Sequence, residues 1–424
     1  MPKFRSAASR LAFAAALAAT GLTLAAPAYA QKKPKEQKEQ AAPKAQYSKA
    51  FVAVYQPIAK TLNAGGDLAP LKPQLPSLIA AAQSADEKFA VGQVVFNVGA
   101  KTSDVALQRQ GLDMMLDSGK TPAADLGRNS YAAAQLAYNA KDWNAARTRA
   151  QQAATAGYSG DAELLIAETY FAQDQVGQGL DALDKAVARK GAAGQPVPEA
   201  WLKRGLAQAY QANLEPQALK FAGMYAQYYP STNSWGDAIA IQRNFRNYEG
   251  QELLDVMRLA MRANALRNER DYVDYITAAD ARRLPGETQR VIDAGIAAGK
   301  LKASDVFVAE ARNVAAGRVK ADTADLAGLE RDARAAGATA ATAMAAGDAF
   351  LSYNQPAKAE EFYKTALGKP GVDAPRVMTR LGIAQLDQGK VAEAQATFAK
   401  VQGARQAIAQ LWALYAAQAA RPAS

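Results

Sequence analysis

From residue 47 onward the hydrophobic positions recur every three or four residues rather than alternately, and Gly, Pro, Asn and Asp interrupt them at short intervals. That period predicts helices joined by tight turns, because a helix brings residues three and four apart onto one face. Segments 47–62, 75–84, 88–98 and 104–118 read as the first of these helices, and 406–420 as a last one that caps the array. Alanine is abundant, and aromatic residues make up only 8% of the 424 positions, which suits closely packed helices rather than sheets.

Small residues repeat along these helices. Ala134, Ala146 and Ala153 are matched by Ala167, Gly179 and Ala186 with the same internal offsets, 33 residues on. Gly347, Ala359 and Ala366 are matched in the same way by Gly382, Ala394 and Val401, 35 residues on. A small residue where two helices cross lets their backbones approach, and an aromatic one turn further on fills the wedge left as they diverge. A larger side chain at the crossing would pry the pair open.

The pattern resembles the tetratricopeptide repeat, a helix-turn-helix unit of about 34 residues. In the last unit Met378, Leu381, Gly382, Gly389, Ala394, Phe398 and Val401 stand where that family has its bulky first-helix residue, Leu-Gly pair, turn glycine, second-helix alanine, aromatic and closing apolar residue. The unit before it supplies Phe350, Ala359, Tyr363 and Ala366. A unit over 199–230 offers Tyr210, Ala218, Tyr225 and Pro230, with its small residue, Gly205, one place early. Between 231 and 333 the repeat length persists but the residues do not. Tyr275, Ala278, Val291 and Ala294 keep the spacing, while Gln251 and Glu287 stand where alanine is expected. The resemblance implies an all-α fold, a right-handed superhelical solenoid of antiparallel helix pairs with a concave inner surface. It divides the chain into an N-terminal helical region (47–127), repeats (128–233), degenerate repeats (234–333) and C-terminal repeats with a capping helix (334–424).

The N-terminal charge pattern predicts export. Lys3, Arg5 and Arg10 precede an apolar run over 11–26, followed by Pro27 and the small-residue site Ala28-Tyr29-Ala30. That is the layout of a cleavable secretory signal, with cleavage expected after Ala30, and the run is short for a membrane span. The expected location is a bacterial periplasm. Residues 31–46 hold Lys32, Lys33, Lys35, Lys38 and Lys44 against Glu36 and Glu39, with Pro34 and Pro43, and read as a disordered basic linker. It is expected to act as a solubilising spacer, and its surplus charge would permit peripheral contact with an anionic membrane. Once signal and linker are set aside, little of the chain's net +10 is left on the body, which points away from a nucleic-acid partner.

Composition removes most catalytic chemistry. The chain has no cysteine and no histidine, which excludes disulfides, thiolate nucleophiles, imidazole bases and zinc sites that rely on sulfur or nitrogen ligands. No cofactor or metal is expected. Gly177-Gln178-Gly179 with Ala182 meets a loose dinucleotide fingerprint but has no strand before it. Residues 295–300 miss the P-loop spacing, and Leu301 stands where Ser or Thr would bind magnesium. Paired carboxylates are the one catalytic device left. The candidates, Asp181 with Asp184, Asp271 with Asp274 and Glu360 with Glu361, each lie near Lys or Arg, as ordinary solvated charges do. In the cluster Phe221, Tyr225, Tyr228, Tyr229 and Trp235 the first three keep helical spacing and read as core, which leaves Tyr229 and Trp235 freer to stack on a sugar.

What the resemblance implies for function is protein binding: a non-enzymatic scaffold of the cell envelope that takes a partner peptide or helix in its concave groove. The family's first-helix positions fall on Arg128, Tyr131, Gln135, Tyr138 and Asn139, then Asp161, Glu168 and Phe171, then Lys203, Tyr210 and Gln211. The C-terminal pair contributes Asp348, Arg376 and Asp387. The expected partners are other cell-envelope proteins or peptides. The alternative is an accessory component that binds peptidoglycan or exported polysaccharide, which exposed aromatics and carboxylate pairs along the groove would favour.

Overall fold

The structure, a computed structural model, describes residues 45–158 and 160–419. The expected signal peptide (1–30) and all but the end of the expected basic linker (31–46) lie outside the described residues.

The first helices are set by their caps. Ser48 starts α1 (Lys49–Ala64) by accepting from the Phe51 amide. A 3-10 turn over Ala69–Gln74 leads into α2 (Leu75–Ala81). α3 (Ala85–Lys101) opens on a reciprocal cap between Ser84 and Glu87, and Asp104 caps α4 (Val105–Asp117). The Glu87 carboxylate also accepts from the amides of Ser48 at 2.7 Å and Gln83 at 2.8 Å, which ties the start of α1 to the start of α3.

Helix pairs follow. α5 (Ala123–Asn139) pairs with α6 (Trp143–Thr155), α7 (Ala162–Phe171) with α8 (Val176–Ala192), and α9 (Glu199–Gln211) with α10 (Glu215–Tyr228). α11 (Thr232–Arg246), α12 (Gly250–Arg262), α13 (Glu269–Ala279) and α14 (Pro285–Ala297) carry the repeat length through the degenerate middle. The pattern then breaks: α15 (Val306–Arg334) is a single helix of 29 residues, alanine-rich and uninterrupted by proline. α16 (Ala340–Ser352) with α17 (Pro356–Leu367) and α18 (Ala374–Asp387) with α19 (Val391–Phe398) restore the pairing, and α20 (Gln406–Ala419) ends it. Each helix packs on the next and the described residues hold no strand, so the fold is the expected all-α solenoid of the tetratricopeptide type.

The turn inside a pair needs one residue with positive φ, which glycine adopts freely and Asn or Asp tolerates. Gly389 fills that place in the last pair (φ 74°), while Lys141, Asp174, Asn213 and Asn354 fill it in the others. A turn glycine is therefore a poor marker of these repeats.

The crossing contacts are close. A Cβ on Gly382 would come within 2.4 Å of the Phe398 ring, and one on Gly347 within 2.6 Å of the Tyr363 ring. In the unit over 199–230 Gly205, one place early, faces Phe221. Glycine and aromatic have both moved one place, so they keep the sixteen-residue separation of the other two pairs. In α7 and α8 the roles are exchanged, with Gly179 on the second helix taking the Phe171 ring of the first. Gly179 is thus a packing residue inside α8, and the dinucleotide reading fails.

The end of the array returns to its middle. α20 packs on α10, α12 and α18. Trp412 is fully buried, and its Nε1 donates to the Asp255 carbonyl at 3.0 Å. Trp235, expected to be freer, is only 1% exposed. Its Nε1 donates to Gln418 at 2.9 Å, because α20 covers it. Tyr229 is half-buried and donates its hydroxyl to the Val197 carbonyl.

Candidate functional site

The predicted first-helix residues fall into two groups with different environments. On α5, Arg128 is exposed and pairs with Asp125 at 2.8 Å, and Asn139 is exposed at the helix end. Tyr131 stacks on Tyr158 with ring centroids 4.8 Å apart, and Tyr138 meets Trp143 edge-on at 5.2 Å. Burial, then the charge of Asp161, pushes the Tyr131 hydroxyl up to about 12. Gln135 lies between the two tyrosines in sequence and is half-buried.

Side chains on α7 and α9 lace consecutive units together. Glu168 is buried and receives Arg204 through Nε at 2.5 Å and Nη2 at 2.6 Å. The same guanidinium lies over the buried Phe171 ring, 5.4 Å from its centroid. This two-point pairing fixes the arginine more firmly than a single contact would. Asp161 is exposed and accepts from Trp201 Nε1 at 2.9 Å. Lys203 is exposed, sits 2.6 Å from Glu199 and lies over the Tyr225 ring. Tyr210 is 41% exposed, packs edge-on against Phe245 and accepts from Asn244 at 3.3 Å, and Gln211 beside it is exposed. Glu168 and Phe171, expected to face a partner, are instead buried structural residues that join α7 to α9. The other positions on α5, α7 and α9 keep surface available.

The C-terminal positions do not. Asp348 is only 4% exposed, accepting Tyr363 Oη at 2.9 Å, Arg376 Nη2 at 2.9 Å and Arg380 Nη1 at 2.6 Å. Arg376 also donates to Gln251 Oε1 at 3.0 Å, and Asp387 is half-buried against Arg262. These three residues were expected to line an open groove. The return of the C-terminal repeats onto α12 covers that face, so they bind within the chain.

What they join is a buried ionic network. Arg380 uses Nε on Asp255 at 3.0 Å, Nη1 on Asp348 and Nη2 on Gln251 at 2.6 Å. Arg258 grips Glu287 through Nε at 2.7 Å and Nη2 at 2.6 Å, and reaches Asp255 with Nη1 at 3.2 Å. Tyr275 donates to Glu287 at 2.8 Å, and Arg405 closes on the second oxygen of Asp255. Burial alone would raise the Asp348 carboxyl; the guanidiniums of Arg380 and then Arg376 outweigh it and hold the group down to about 2. Asp255, Arg258, Arg380 and Arg405 were missed in the sequence. The one signal was polar Gln251 and Glu287 in alanine positions, and both belong to this network.

At least one member of each candidate carboxylate pair is engaged by a cation. Asp184 meets Lys220 at 2.6 Å, Asp271 and Asp274 both face Arg243, and Glu361 pairs with Arg334. Glu360 lies between Lys364 at 2.6 Å and Lys390 at 2.7 Å, which, with the Gln388 amide, overcome the effect of burial and hold its carboxyl down to about 2. Among the described residues no cluster of three or more acidic groups suits a metal ion, and no helix is long and apolar enough to cross a membrane.

No protein-family model matches the sequence, and no curated protein matches it either. Among solved structures, the chain is similar to one titled "Structure of Naa15/Naa10 bound to HypK-THB", with 12% identity and a TM-score of 0.30. The likeness covers 82% of this chain and spans 64% of the other.

Proposed function

We propose that the protein is an exported, non-enzymatic scaffold of the bacterial cell envelope that holds a peptide or helix of another envelope protein against α5, α7 and α9. The observation that carries this reading is a difference in availability along the repeats. Arg128, Asn139, Asp161, Lys203, Tyr210 and Gln211 stay exposed at successive first-helix positions, whereas Asp348, Arg376 and Asp387 are engaged inside the chain. A helical-repeat surface that offers tyrosine and arginine among polar groups has the side chains that anchor protein interfaces. The signal-peptide layout supports the periplasmic location, and the lack of histidine and cysteine supports a role without catalysis.

The test is in-cell crosslinking of the tagged protein followed by mass spectrometry, beside the variant Arg128→Ser, Lys203→Ser, Tyr210→Ser. All three side chains are exposed, so the variant keeps the fold. The scaffold reading expects a defined set of envelope proteins that the variant loses. Recovery of glycan fragments with no enriched protein would instead establish the polymer-binding alternative.

A further inference from the structure

The ionic network contains more cations than anions. Arg258, Arg283, Arg376, Arg380 and Arg405 face Asp255, Glu287 and Asp348. Glu287 is filled by Arg258 and Tyr275, and Asp255 is shared among Arg258, Arg380 and Arg405. The excess therefore gathers at one edge, between the loop before α14 and the first turns of α12 and α18.

At that edge a single amide oxygen does the work of a carboxylate. Gln251 Oε1 accepts from Arg283 Nη2 at 2.8 Å, Arg376 Nη2 at 3.0 Å and Arg380 Nη2 at 2.6 Å. The carboxylate that all three guanidiniums share is Asp348, at 3.5, 2.9 and 2.6 Å respectively, and Tyr363 occupies its other oxygen; Arg380 alone also reaches Asp255. Arg376 Nε is buried and has no partner. Burial, then repulsion from Arg380, lowers the Arg376 pKa, the direction expected of a cation short of counter-charge. The edge opens to solvent, since the Arg283 side chain is 41% exposed and that of Arg376 15%. A guanidinium presents a planar fork of donors that matches carboxylate and phosphate oxygens.

We infer that Arg283 and Arg376 form an anion-binding site for an oxyanion, a carboxylate or phosphate group, which offsets the surplus positive charge of the network. The site is separate from the face on α5, α7 and α9 and stands whether or not that face binds a partner. Because Arg376, Arg380 and Gln251 also hold α18 to α12, a bound anion stabilises the return of the C-terminal repeats.

The experiment uses the purified full chain. Thermal unfolding is followed while chloride is replaced by inorganic phosphate at constant ionic strength, and calorimetry is run in parallel with a hexaglutamate peptide. The inference expects a saturable rise in Tm over chloride, calorimetric binding, or both, and at least about tenfold weaker binding in Arg283→Gln and Arg376→Gln. Arg283 is half-exposed, so its variant keeps the fold and reports on binding alone; its Tm in chloride is unchanged or higher. Arg312→Gln, an exposed arginine paired with Asp293, retains full binding. Binding of phosphate alone identifies a free anion as the ligand, and binding of the peptide alone identifies an acidic protein segment. The inference is overturned if neither probe acts beyond chloride, or if Arg283→Gln binds as the wild type does.

Discussion

Arg380 and Asp255 meet at 3.0 Å with both side chains fully buried, although 125 residues separate them in the sequence. In an open repeat array each unit touches only its neighbours. Here one ion pair reaches from the last pair of repeats to the degenerate middle, and Arg405 and Trp412 bind the same aspartate from the C-terminal side. The first-helix positions Asp348, Arg376 and Asp387 of the C-terminal repeats are thereby engaged inside the chain, whereas most of those on α5, α7 and α9 are left with surface.

Removing Asp255 leaves Arg380, Arg258 and Arg405 facing each other without their shared anion. Breaking a buried pair from one side costs about 3–5 kcal/mol, whereas replacing both partners by apolar groups costs far less. Urea unfolding of Asp255→Ala should therefore lose about 3–5 kcal/mol. The double variant Asp255→Leu, Arg380→Met should recover part of that loss, which a double-mutant cycle reads directly.

Acid stability depends on Asp348. Its folded carboxyl sits at about 2 against an ordinary 3.8, so the stability it provides is complete above the unfolded value and drains away as pH falls towards 2. Between pH 5 and pH 2 the wild type should lose about 2 kcal/mol more than Asp348→Asn, a difference that parallel denaturant titrations would measure.

Substitution should be costly at the crossing glycines and tolerated at the turn glycine. Gly382→Val drives a side chain into the Phe398 ring and should cost about 1–3 kcal/mol. Gly389 has positive φ but open space around it, and asparagine already fills the equivalent turn at Asn213 and Asn354. Gly389→Asn should therefore change stability by less than about 1 kcal/mol, and Tm values of the two variants decide the point.

Helix packing could be read in the sequence because it is local. Gly382, Ala394 and Phe398 lie within one repeat, so their spacing alone announces the crossing, and segments 75–84 and 104–118 came out close to α2 and α4. In the unit over 199–230 the small residue, Gly205, comes one place early, and the aromatic it faces, Phe221, has moved with it. Two aromatics one turn apart are equivalent by period, and only the position of Gly205 distinguishes them. The network was illegible for a different reason. The contacts that tie the C-terminal helices to Gln251 and Asp255 span 125 residues or more, as with Arg376 and Gln251, and nothing periodic connects them. Gln251 and Glu287 read as decay of the repeat, when they are the polar positions that hold the returning helices. Buried Asp348 and exposed Lys203 occupy similar first-helix positions, and only the fold separates them.

The central claim is that partner binding belongs to α5, α7 and α9. Site-specific photo-crosslinking in the cell tests it most directly, with a benzophenone side chain placed in turn at Asn139, Gln211 and Lys400, all exposed, the last of them just after α19. The account predicts that Asn139 and Gln211 capture the same envelope protein and that Lys400 captures none. Capture at Lys400 alone, or equally at all three positions, would contradict it.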